Sequence, residues 1–66
     1  MEVFGKRMRE ARVEKGMTQE KLAQLMHVSR RTVGGWEVGQ NEPSMEQVIE
    51  LTKILECDVN YLFGVS

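Results

Sequence analysis

Arg30 and Arg31 stand side by side behind a serine in the stretch Ser29-Arg30-Arg31-Thr32-Val33-Gly34-Gly35-Trp36-Glu37-Val38-Gly39. A guanidinium is a planar fork of donors that fits a carboxylate, a phosphate or the O6/N7 edge of guanine two bonds at a time. Carried in the first turn of a short helix, two such forks form a head that can enter a groove. Other chemistries are poorly served. His27 is the only histidine and Cys57 the only cysteine, which leaves no intrachain disulfide, no zinc set of ordinary spacing and no nucleophile beside a base. With no carboxylate pair and no phosphate-cradling loop, the sequence predicts no enzyme, no catalytic residue, no cofactor and no metal.

The net charge of −1 hides a division along the chain. Residues 1–31 carry eight basic and four acidic side chains, whereas residues 32–66 carry one lysine against six acids. A basic face turned to phosphates and an acidic face turned to water fit that split, as do two ordinary solvated surfaces. At 66 residues the chain is read as one domain, 1–66, burying only about 60% of the surface its unfolded form exposes. Lacking a spanning apolar run and a signal-peptide core, it is expected in the cytoplasm with no membrane partner.

The elements that position the arginines are helices separated by punctuated turns. Phe4, Met8, Ala11 and Arg12 recur at helical spacing, so the first helix is expected over about 2–15, closed by Gly16. Thr18 is an N-cap for a second helix of about nine residues with Leu22, Leu25 and Met26 on its apolar stripe. Ser29 caps the third, in which Val33 and Trp36 face inward and Gly39 is the stop. Ser44 and Gln47 fit a capping box ahead of Val48, Leu51 and Leu55. Asp58 caps a last short helix carrying Val59, Leu62 and Phe63, ended by Gly64.

Helices 2 and 3 are joined so tightly that they can cross at a large angle with the second protruding into a DNA major groove. Ala23 is small enough for the crossing, His27 is a type enriched at positive φ, and Val28 with Val33 fills the angle. On these residues, and on Thr18-Gln19-Glu20, Leu22-Ala23, Val28-Ser29-Arg30, Thr32-Val33, Trp36-Glu37, Gly39 and Pro43-Ser44, the chain from about Phe4 to Gly64 resembles the XRE, or Cro/CI-type, helix-turn-helix family of lambdoid phage repressors and bacterial regulators. The resemblance implies an all-α, compact five-helix lambda-repressor-like DNA-binding domain. It also implies a homodimer on a palindromic operator in double-stranded DNA, with helix 3 as the recognition helix.

What the resemblance and the residue chemistry together suggest is specific. Arg30, Arg31 and Thr32 are the expected base contacts, with a lone phosphate or solvated role as the alternative for either arginine. Thr18 and Gln19 head helix 2, where the family's glutamine clamps the DNA backbone; Ser29, Arg9, Gln40 and Asn41 are further expected backbone contacts. Arg12 falls on an apolar stripe, and the family pairs such an arginine with the acid at Glu37 as a structural ion pair. Val59, Tyr61, Leu62 and Phe63 are dimer-interface candidates, with closure of the monomer core as the equal alternative for Val59 and Leu62. Gly34 and Gly35 depart from the family pattern, which places polar or basic side chains there. They are expected on the DNA-facing or exposed side, either allowing close backbone approach or marking a lost contact. Fewer cations after helix 3 predict a shallow salt dependence. A competing function is a protein-interaction module or antitoxin on the same fold, with a protein partner of unknown kind.

Overall fold

The computed structural model describes residues 2–65 and contains five helices: α1 (Glu2–Glu14), α2 (Gln19–Met26), α3 (Arg30–Glu37), α4 (Met45–Leu55) and α5 (Val59–Phe63). No strand occurs among the described residues. Their starts follow the caps that the sequence carries. Thr18 accepts from the Lys21 amide, Ser29 from the Thr32 amide and Asp58 from the Asn60 amide. Ser44 and Gln47 form a complete capping box, each side chain bonding the other's backbone amide.

The ends are set by left-handed residues. Gly16, Gly39 and Gly64 have positive φ, and His27 adopts φ 59° to make the tight turn between α2 and α3. Glu56 adopts φ 53° at the end of α4, a conformation its sequence does not advertise. It is paired with Lys15 across 2.5 Å, which ties the end of α4 to the end of α1.

Phe4, Met8 and Ala11 of α1 join Leu22, Ala23 and Met26 of α2 and Val33 and Trp36 of α3, with Val48, Leu51, Leu55 and Leu62 closing the core from α4 and α5. Leu25 departs from the expected stripe of α2 and is 39% exposed, because Leu22 and Met26 already fill the contact with the neighbouring helices. α1 rests on α3 and α5, while α2 packs on α3 and α4.

Gly5 makes the α1–α3 contact possible. A Cβ at Gly5 would lie 2.6 Å from the Trp36 carbonyl oxygen and 2.8 Å from the Glu37 carbonyl carbon. Backbone meets backbone there. The end of α3 is thereby held against α1, and its head is left at the surface with Arg30 and Arg31 exposed.

Candidate nucleic-acid interface

At 100° per residue, roughly, Arg31 and Gly35 lie two positions either side of Val33 and therefore almost opposite it on α3. Val33 is fully buried. The face centred on Arg31 and Gly35 is thus the one turned away from the core. Arg31 is exposed, and its guanidinium makes no hydrogen bond to the described residues. Thr32 is half-buried, its hydroxyl 2.9 Å from that of Ser29.

Arg30 is held differently. Its Nη1 donates to Gln19 Oε1 over 3.0 Å, and Gln19 Nε2 donates in turn to Glu37 Oε1 over 3.0 Å. Glu37 is the centre of the arrangement. It accepts from Arg12 Nε at 2.6 Å and from Arg12 Nη2 at 3.3 Å, while Arg12 Nη1 donates to the Met17 carbonyl at 2.7 Å. Arg12 is 7% and Glu37 8% exposed, so the pair expected from the resemblance sits inside the protein. Buried charges are tolerated only when paired and fully bonded. No buried side-chain polar atom among the described residues lacks a partner.

Gln19 is therefore not a free arm at the head of α2. Its carbonyl oxygen and one amide hydrogen are committed within the chain, which leaves the second hydrogen of Nε2 for an outside acceptor. Thr18 satisfies the Lys21 amide, and the Gln19 and Glu20 amides remain at the open N-terminus of α2. Arg9 is exposed on α1, four residues from Gly5 and so on the side that meets α3.

The loop after α3 folds back on it. The Gln40 and Asn41 amides both donate to the Gly35 carbonyl, at 2.8 and 3.3 Å. The Asn41 side chain lies over Gly35 so closely that a Cβ there would sit 2.7 Å from Asn41 Cγ and nearer still to Oδ1. This corrects the expectation that both glycines are open. Gly35 is buried beneath Asn41, and only Gly34 has room, with Gln19 Nε2 3.8 Å from an added Cβ.

On the far side of the molecule the structure decides between the two readings of Leu62: it is fully buried and closes the core of its own chain, so it drops out of the dimer candidates. Val59, Tyr61 and Phe63 remain 41%, 36% and 38% exposed. Phe63 also packs on Phe4 with ring centroids 5.1 Å apart and the rings tilted by 43°, and the Arg7 guanidinium lies 4.8 Å over the Tyr61 ring.

Sequence reasoning missed two residues that shape this surface. Gly5 carries no signal beyond a helix-disfavouring glycine in an otherwise regular segment. That signal was available. The seat of Asn41 on Gly35 had none, since it depends on how the loop returns.

Comparison with known proteins agrees with this geometry. The helix-turn-helix family model HTH_3 matches residues 8–62. The chain is 30% identical over 60 residues to the SPbeta prophage-derived HTH-type transcriptional regulator YonR of Bacillus subtilis, covering 91% of this chain and 56% of that protein. It therefore spans about half the length of that relative. Among solved structures, the restriction-modification controller protein C.AhdI of Aeromonas hydrophila superimposes with a TM-score of 0.85 at 40% identity, covering 94% of both chains. The P22 c2 repressor in complex with a synthetic operator gives a TM-score of 0.83 at 32% identity over 89% of both. With α2, the His27 turn and α3 arranged as they are, and with the family model spanning them, the chain belongs to the XRE-type helix-turn-helix family.

Proposed function

We propose that this chain is a sequence-specific DNA-binding transcriptional regulator that places α3 in the major groove and acts without enzymatic chemistry in the cytoplasm. The observation that carries the reading is the pair of arginines at the head of α3. Arg31 is exposed on the face opposite the core, and Arg30 is fixed beside it through Gln19. Arg31 contacts a base edge, where a bidentate guanine contact contributes about 1–3 kcal/mol of discrimination. Arg30 and Thr32 flank it. The open amides of α2, the remaining hydrogen of Gln19 Nε2, Ser29, Arg9 and Gln40 hold phosphates and set the register. The likeness to an operator-bound P22 c2 repressor supports this placement.

The chain works as a homodimer on a palindromic site, with two α3 helices about 34 Å apart. Val59, Tyr61 and Phe63 offer the apolar surface for that contact. Selection of bound duplexes from a random pool tests binding, palindromy and spacing together. A two-fold motif is expected, and the absence of any enriched motif at moderate salt refutes the reading in favour of a protein-interaction module. Even if Arg30 and Arg31 are counted with Arg9 as cations brought to the DNA, three per protomer, the slope of log K against log salt reaches only about −5 per dimer; a slope near −10 contradicts this distribution of contacts.

A further inference from the structure

The face of α3 opposite its core is built from Arg31 and Gly35, yet Gly35 contributes no side chain to it. The space that a side chain at position 35 would occupy is filled by the amide of Asn41, whose Cγ is 2.7 Å from the ideal Cβ position. The loop is pinned in that posture by the two amides bonded to the Gly35 carbonyl. An Asn amide thus lies on the middle of the outward face, one helical turn beyond Arg31, at the depth of a short polar side chain grown from α3 itself. Unlike the Gln19 amide, it makes no hydrogen bond to the described residues.

We infer that Asn41 is a specificity-determining residue that reads a base edge in place of a side chain at position 35. This rests on the DNA-binding reading above and assigns Asn41 a different task from the phosphate contact expected of its loop. Oδ1 is the amide atom pressed closest onto Gly35 and Nδ2 is held farther off, so what the group offers a base is its N–H donors, which match an acceptor such as the N7 of a purine in the major groove. Gly35 is the seat for that amide. Any larger residue there displaces it.

The test is selection from a random duplex pool with the full chain, in parallel for wild type, Arg31→Ala, Asn41→Ala and Gly35→Ala. Far-ultraviolet circular dichroism confirms that each is folded. Asn41→Ala is expected to lose preference at one base pair per half-site, distinct from the pair lost in Arg31→Ala, with about 5- to 150-fold less discrimination there. Gly35→Ala is expected to lose the same preference while gaining thermal stability, because its Cβ pushes the amide aside and alanine is the better helix former. Combining Asn41→Ala with Gly35→Ala should add nothing to the loss of base preference. A motif that persists unchanged in Asn41→Ala overturns the inference, as does a uniform loss of affinity across all duplexes, which marks a backbone contact. If the wild-type chain enriches no motif, the DNA reading fails first and this inference fails with it.

Discussion

Replacing Glu37 with Ala is the sharpest test of the structural reasoning, because one substitution leaves three donor nitrogens on two side chains, Arg12 Nε and Nη2 and Gln19 Nε2, without their acceptor. Arg12 keeps only its bond to the Met17 carbonyl and retains a full charge at 7% exposure. Gln19 loses the acceptor for Nε2. Breaking a buried ion pair from one side costs about 3–5 kcal/mol, since the survivor stays desolvated and uncompensated. A chain of 66 residues has roughly 3–10 kcal/mol of total stability at the usual 0.05–0.15 kcal/mol per residue. The variant therefore loses a large fraction of it. At about 4–8 °C per kcal/mol for a domain this small, the melting midpoint should fall by more than about 12 °C. Trp36, the only tryptophan and 2% exposed, reports unfolding by fluorescence in a urea titration. Arg12→Met combined with Glu37→Leu should recover much of the loss, because neither charge is then stranded. A Glu37→Ala midpoint within about 1 kcal/mol of wild type would refute the assignment of this pair as a buried structural element.

Gly5→Ala should destabilise the fold by about 1–3 kcal/mol in the same titration, because its Cβ meets the unyielding Trp36 and Glu37 carbonyls and α1 must move off α3. A more stable variant would mean that the two helices have slack. His27→Gly should raise stability by up to about 1 kcal/mol by relieving the left-handed φ of 59°, and an unchanged or lower thermal midpoint contradicts that. The hydrogen bond and charge of Lys15 hold the Glu56 carboxyl below its ordinary value of 4.5. A depressed folded-state pKa contributes stability above the unfolded value that is lost as pH falls through the folded one, so the contribution disappears on the acid side. An NMR titration should place the Glu56 midpoint below 4.5 and return it toward that value in Lys15→Ala; identical midpoints in the two proteins count against the pair.

The local signals survived the passage from sequence to structure because they act over three or four residues. Thr18, Ser29, Ser44 with Gln47 and Asp58 each cap the helix they precede, and His27 takes the positive φ that the short turn demands. The Arg12–Glu37 pair was legible only in half. The arginine betrays itself by falling on an apolar stripe, but its partner lies 25 residues away, and the family resemblance rather than any spacing supplied it. What escaped were consequences of packing between distant segments. Leu25 is exposed although it obeys the apolar period, because Leu22 and Met26 take up the space on that side of the core. Gly5 and Gly35 look alike in sequence as helix-weakening residues. One admits a backbone and the other an amide from a loop.

The hydrogen-bonded line from the Met17 carbonyl through Arg12, Glu37 and Gln19 to Arg30 crosses from the interior to the exposed head of α3. Each member satisfies the next, so a substitution at any one of these four side chains alters what its neighbours can bond. The cost of a change therefore grades along the line: at Arg12 or Glu37 it strands a buried charge, at Gln19 it removes one donor from Glu37, and at Arg30 it only frees an exposed Gln19 Oε1. Changes at Arg31, Gly34 and the loop from Gln40 onward lie off the line and strand no buried charge.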